Sequence, residues 1–230
     1  MSPGLFWKGF TSLLFPKECV ACGELLLDQE DQVCTSCNFY LPSIGSAINS
    51  RPLVESKFFG KVDFNFALAV FDMAYSERVH HIIQNIKYKN LPKIAYDVGM
   101  RFGQGYKEHA EIGSVDVIIP IPLHKRKEKE RGYNQSRYFA EGLGKSMCKK
   151  VDLKSLKRKK YTSSQTHKDR LERYENVKDI FECLSSTELK DKHILIVDDV
   201  VTTGATMVSA AHVLLDSCTC KISFLVIANA

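Results

Sequence analysis

The chain has 230 residues, 44% of them hydrophobic and 26% charged, which is ordinary for a globular protein and enough for one α/β core with a small appendage. No apolar run approaches the ~18 residues needed to span a membrane, so membrane insertion is not expected. The net charge of +5 is uneven: residues 124–173 hold 17 Lys and Arg against 6 Asp and Glu, while the rest of the chain is acidic.

Leu5, Phe6, Trp7, Phe10, Leu13, Leu14 and Phe15 make an apolar start. It has no basic stretch ahead of it and no small-residue cleavage site, so a short amphipathic helix lying on the protein is expected rather than a signal peptide. A cytoplasmic location follows. Next come Cys19-x2-Cys22 and Cys34-x2-Cys37, two knuckles 11 residues apart. Four thiolates in two such pairs are the ligand set of a closed, structural zinc site, here a compact two-hairpin ribbon with Gly23 in the first turn. Disulfides are the rival reading, disfavoured without a secretion signal. Cys148, Cys183, Cys218 and Cys220 lack ligand spacing and read as partly buried thiols. The expected division is residues 1–45 for the helix and ribbon, 46–62 for a connector and 63–230 for the main domain.

Within the main domain, residues 66–71 read as an apolar strand. Val79, Ile82, Ile83 and Ile86 mark an amphipathic helix ending in Lys87-Tyr88-Lys89, and Ile94, Ala95, Val98 and Phe102 mark another. Residues 115–121 form a second buried strand, broken at Pro120 and Pro122, and Phe139, Leu143 and Met147 give the helix after it. Strands near 153–157, 179–183, 193–198 and 222–228 complete an alternation with helices. That alternation predicts a mainly parallel, doubly wound sheet.

The most informative stretch is 193–206. Ile194 to Val197 run as a strand buried on both faces into Asp198 and Asp199; Thr202, Thr203 and Gly204 follow, and then a helix with Val208, Ala211 and Leu215 on one face. Open α/β sheets bind ligands at such strand-to-helix turns. Free N–H groups at the helix start attract phosphate, Gly204 allows close approach, and Thr202, Thr203 and Thr206 add hydroxyl donors. Ionised carboxylates would repel a phosphate but suit the paired hydroxyls of a ribose. The combination describes a ribose 5-phosphate site. Neither a Walker A loop nor a Gly-x-Gly-x-x-Gly turn after a strand occurs. Two further segments bear on it: Pro120 to Ser136, where Arg126 and Arg131 can fork onto phosphate oxygens, and the basic, aperiodic stretch 156–181, within which residues 157–176 are a candidate lid.

The Asp-Asp turn resembles the 5-phosphoribosyl 1-pyrophosphate (PRPP) motif of type I phosphoribosyltransferases. The whole chain resembles the ComF family, including its competence-associated ComFC-type members. The resemblance rests on the Leu-Phe-Pro-x2-Cys-x2-Cys opening, Pro122-Leu-His124, Arg131 to Gln135, the series Thr162, Gln165, Arg173 and Asn176, and Asp198-Asp199. It implies a type I phosphoribosyltransferase-like fold with a small N-terminal zinc ribbon of four cysteines. It further implies that Asp198 and Asp199 bind the ribose hydroxyls, that Val201, Thr202, Thr203, Gly204, Ala205 and Thr206 wrap the 5-phosphate, and that Pro120, Pro122, His124, Arg126, Arg131, Asn134 and Gln135 form the pyrophosphate loop. Arg158, Lys160, Thr162, Gln165, Arg173 and Asn176 would belong to the lid. Catalytic roles fall to Asp198, Asp199, Arg126, Arg131 and Arg158, with Lys160 as a further cation, and Mg²⁺ accompanies PRPP. The reaction implied is displacement of pyrophosphate from PRPP by an unidentified acceptor. The alternative is a PRPP-site protein that handles single-stranded DNA during natural transformation, with the competence helicase machinery as a partner. It is weakened by the lack of regular aromatic-basic alternation. A plain zinc-ribbon adaptor is a third reading, and oligomeric state is silent.

Overall fold

The computed structural model describes residues 16–40, 46–89, 91–159 and 180–230. The apolar start at residues 1–15 lies outside them. Five strands form one parallel sheet: β1 (Ala67–Asp72), β2 (Val117–Pro120), β3 (Lys150–Val151), β6 (His193–Val201) and β7 (Lys221–Asn229), in the order β1-β7-β6-β2-β3. The long central strands are nearly continuous Ile, Leu, Val and Phe because both sheet faces are covered. One core cluster takes Leu195, Val197 and Leu225, and the other takes Ile194, Ile196 and Phe224.

Three helices cover the first face: α1 (Glu77–Tyr88), α2 (Pro92–Tyr106) and, after a short helix α3 (Lys125–Arg131), α4 (Gln135–Met147). Their buried residues include the expected Val79, Ile82, Ile83, Ile86, Ile94, Ala95, Phe102, Phe139, Leu143 and Met147, and Val98 is half-buried. Helix α5 (Ala205–Ser217) lies against the second face. Its apolar face centres on Leu214, with Leu215 only half-buried, which shifts the expected stripe by one residue. Among the described residues no helix is long and apolar enough to cross a membrane.

Two expected strands go elsewhere. β4 (Leu156–Arg158) and β5 (Phe181–Cys183) pair antiparallel with each other, outside the parallel sheet. Each is three residues long and packs its apolar residue, Leu156 or Phe181, onto the α5 side of the core. The bond from Lys159 N to Ile180 O, 2.7 Å, extends the pairing, so Lys159 and Ile180 lie side by side. Lys160, Thr162, Gln165, Arg173 and Asn176 lie outside the described residues.

Helices α2 and α4 meet almost backbone to backbone. A Cβ on Gly99 would overlap the carbonyl oxygen of Phe139, and one on Gly142 that of Tyr96. Phe102 and Phe139, one from each helix, are fully buried in the same core cluster, so moving the helices apart would disturb that packing. Gly142→Ala should therefore cost about 1–3 kcal/mol through overpacking. Urea unfolding followed by circular dichroism would show a lowered midpoint, and an unchanged midpoint would contradict this packing.

Candidate functional site

β2 and β6 are neighbours, but the chain leaves them in opposite directions, β2 toward β3 and β6 toward β7. The crevice beyond their carboxyl ends is thus the topological switch point of the sheet, where ligands bind in open α/β folds. Ile121 N donates to Val197 O at 2.9 Å, which sets the start of the Pro122 segment beside Asp198.

The two carboxylates lie within β6 rather than in the turn. Because β7 runs on to Asn229, the ladder continues past them: Asp198 is opposite Val226, Val200 opposite Ala228 and Val201 opposite Asn229. The turn shrinks to Thr202–Gly204, and Gly204 precedes α5 with φ of +78°. That left-handed angle favours glycine. A Cβ there would also stand 3.1 Å from the Phe58 ring and 3.2 Å from Lys57 O. Lys57 and Lys61 close this side: Lys57 Nζ donates to Val201 O at 3.3 Å, and Lys61 Nζ to Thr203 O at 3.2 Å. Val201 turns its side chain into the core. Thr202, Thr203 and Ala205 are exposed, and Thr206 is half-buried.

Asp198 accepts a 2.7 Å hydrogen bond from Ser136 Oγ and one of 2.9 Å from Asp199 N. Burial, and then the neighbouring charge of Asp199, push its carboxyl up to about 7, against the pull of Ser136, the Asp199 N–H and Lys87. Asp199 Oδ2 lies 3.6 Å from Lys87 Nζ and 3.9 Å from a terminal nitrogen of Arg131, which also donates to Gln135 Oε1 at 3.2 Å. The Nε2 of Gln135, a fully buried residue, has no hydrogen-bond partner.

The pyrophosphate-loop residues divide between an ordered turn and a helix. Residues 125–131, all charged and without an apolar period, form α3, capped by His124 Nδ1 accepting from Arg126 N at 3.2 Å and ended by Gly132 at φ +79°. Arg126 is exposed and pairs with Glu130 at 3.2 Å along the same helix, whereas Arg131 turns back onto Asp199. Asn134 caps α4, accepting from Ser136 N at 3.1 Å and donating to Ile121 O at 3.0 Å. Arg158 stacks its guanidinium 5.6 Å from the Phe181 ring centre; burial lowers its pKa and the Asp198 charge opposes that. The residues missed by motif reasoning are Lys87, Lys127, Ser136, Lys57 and Lys61. The basic end of α1 hinted at Lys87, and Lys127 and Ser136 lie in the Pro120 to Ser136 segment without a role there.

The ribbon stands apart from this crevice. All four sulfurs of Cys19, Cys22, Cys34 and Cys37 lie within 4.8 Å of one another, and Cys22 and Cys34 are 3.8 Å apart. Zinc–thiolate bonds of about 2.3 Å give a tetrahedral edge of about 3.8 Å, so the set fits a four-cysteine zinc ribbon. Backbone N–H groups already point at sulfur, Cys34 N to Cys19 at 3.3 Å and Cys37 N to Cys34 at 3.4 Å. Only the first knuckle is a hairpin, bridged between Glu18 and Leu25; Cys34 and Cys37 instead flank the start of the helix Thr35–Tyr40.

Residues 134–230 match the family described as Phosphoribosyl transferase domain. The chain is 34% identical over 100 residues to the DNA utilization protein YhgH of Escherichia coli O6:H1, covering 44% of this chain and 43% of that protein. It is 29% identical over 145 residues to the Competence protein F of Haemophilus influenzae, covering 58% and 60%. To the Competence protein ComFC of Bacillus subtilis it is 36% identical over 104 residues, covering 44% and 38%. Each match thus spans less than two thirds of the relative's length.

The raised Asp198 carboxyl has a consequence for stability. The folded chain keeps a proton that the unfolded chain releases near pH 4, so stability falls as pH rises from about 4 to about 7. Asp198→Asn removes that loss. It should exceed the wild type by up to about 4 kcal/mol at pH 8, the linkage equivalent of a carboxyl moved from near 4 to about 7, with the gap closing toward pH 4. Urea midpoints at both pH values check this; a gap independent of pH would contradict it.

Proposed function

We propose that the chain is a ComF-like member of the type I phosphoribosyltransferase family, as its matches over residues 134–230 and to competence and DNA utilization proteins support, and that the β2–β6 crevice binds PRPP for phosphoribosyl transfer to an acceptor. One observation carries the reading: two adjacent carboxylates at the switch point are followed within a few residues by a hydroxyl-rich turn at a helix start and flanked by cations from other elements. Asp198 and Asp199 accept the ribose hydroxyls. The Thr202–Gly204 turn and the first N–H groups of α5 hold the 5-phosphate. Arg131, with Arg158 across the crevice and Arg126 at its rim, offers charge to the pyrophosphate side. Mg²⁺, when bound with PRPP, would supply charge neutralisation on the phosphate oxygens. The cradle fits such a ligand: the turn is open, and the donors and acceptors fall in the order phosphate, diol, cation.

Residues 157–176, with Arg158, Lys160, Thr162, Gln165, Arg173 and Asn176, are assigned as the lid; of these six, Arg158 lies among the described residues, beside Asp198. The four cysteines are assigned to structural zinc, which leaves no open position for substrate. Residues 1–45 then form the ribbon module, 46–62 a connector and 63–230 the transferase-like domain.

A second reading is favoured by two observations, the names of the relatives and the basic stretch 124–173. In it the PRPP site serves single-stranded DNA handling during transformation, with the ribbon and basic surface on the strand and the helicase machinery as partner. Transformation in a deletion strain separates the two. Full rescue by the Asp198→Asn/Asp199→Asn variant makes the sugar site dispensable for DNA uptake.

Calorimetry with PRPP and Mg²⁺ should give a saturable heat that the same double variant abolishes. No heat from the wild type would contradict the site. Metal analysis should return one zinc per chain, and Cys19→Ser with Cys37→Ser should lose it without loss of the parallel sheet's circular dichroism.

A further inference from the structure

Lys87 lies in none of the motif segments and outside residues 134–230, yet its ammonium sits 3.6 Å from Asp199 Oδ2. It comes from the last turn of α1, and its side chain is only 22% exposed. A lysine at a helix end ordinarily runs its ammonium out to water. The helix that carries it is held from both sides. Asn85 Nδ2 donates to Val20 O at 2.6 Å, and His81 Nδ1 lies 3.1 Å from Ala21 O, both on the Cys ribbon. From the other side the buried Tyr133 hydroxyl donates to Ile86 O. Residues 85–87 are therefore clamped between the ribbon and the turn that follows α3.

The cations around the crevice fall into two sets. Lys57 and Lys61 serve the Thr202–Gly204 turn through the carbonyls of Val201 and Thr203. Lys87 and Arg131 share one oxygen of Asp199, and Lys127 bears on the same carboxylate from α3. Three cations facing one carboxylate repel one another. Burial, then Arg131 and Arg158, push the Lys127 amine down, with Glu130 and Asp199 opposing. Such crowding suits a polyanion at the site.

In PRPP the 5-phosphate and the pyrophosphate stand at different ends of the sugar, and the pyrophosphate is on the carbon next to a hydroxyl of the diol. With the phosphate at the Thr202–Gly204 turn and the diol on the carboxylates, the cations gathered at Asp199 are left for the pyrophosphate. We infer that Lys87 is a binding residue for the pyrophosphate group of PRPP, supplied by a helix outside the matched transferase segment and held in place by the Cys ribbon. This rests on the PRPP reading of the crevice. In the ligand-free protein Lys87 is a counter-ion of Asp199; when the diol occupies Asp199, its ammonium is available to the pyrophosphate oxygens.

The test compares PRPP with ribose 5-phosphate, which lacks the pyrophosphate, by calorimetry with Mg²⁺. Lys87→Met should weaken PRPP at least tenfold and ribose 5-phosphate less than threefold. Lys87→Arg should recover most of the loss, and Lys89→Met, two residues on at an exposed position, should change neither. In the wild type, PRPP should shield Lys87 but not Lys89 from an amine-acylating reagent read by mass spectrometry, a result that needs no variant to fold. PRPP binding within twofold of wild type in Lys87→Met, equal loss of both ligands, or no shielding of Lys87 would overturn the inference while leaving the PRPP site intact. Absence of any PRPP binding by the wild type would overturn the site and the inference together.

Discussion

Two carboxylates on consecutive residues at the mouth of a buried sheet repel each other, and burial penalises both charges. A chain built for stability alone would not place Asp198 beside Asp199 where Ile194 to Val197 end. The surroundings compensate group by group. Ser136, at the capped start of α4, donates to Asp198; Lys87 and Arg131 face Asp199; Arg158 acts on Asp198 across the crevice. Compensation is incomplete, since the Asp198 carboxyl still lies near neutrality. Residual cost of this kind concentrates where a ligand is to complete the pairing.

The fold positions these groups through few links. Asn134 ties the start of α4 to the end of the β2 segment, capping one and donating to Ile121 O of the other. Tyr133, its neighbour, reaches the last turn of α1. Three consecutive residues, Tyr133 to Gln135, therefore tie α1, β2 and the Arg131 side chain to one turn. The ribbon adds a second hold on α1 through Val20 and Ala21. The four-cysteine cluster and the carboxylate crevice meet in that single helix.

Much of this was legible from the sequence where burial writes a period. The central strands, α1, α2, α4 and α5 each carry an apolar pattern that only a two-faced sheet with helical cover satisfies. The cysteine spacing was legible in the cluster of four sulfurs, because a tetrahedral thiolate set needs fixed residue types at fixed distances. Three things were not. α3 is written entirely in charged residues, stabilised by its caps and the Arg126–Glu130 pair, so no period betrays it. The departure of β4 and β5 from the main sheet depends on tertiary packing of Leu156 and Phe181, which three-residue strands cannot announce. Lys87, Lys127 and Ser136 reach the carboxylates from elements remote in sequence or from ordinary helix positions, where a lysine or serine has many innocent uses.

In the proposed PRPP site, Asp198 and Asp199 are mutually repelling carboxylates whose strain a ribose diol would relieve. Carboxyl carbon-13 NMR on aspartate-labelled protein tests it directly, with the Asp198 signal assigned by its loss in Asp198→Asn. The free protein should show Asp198 titrating near 7, and saturating PRPP with Mg²⁺ should move that midpoint down by about a unit or more, because donors to the charged form favour it. An Asp198 midpoint in the ordinary carboxylate range near 4, unmoved by the ligand, would contradict the account.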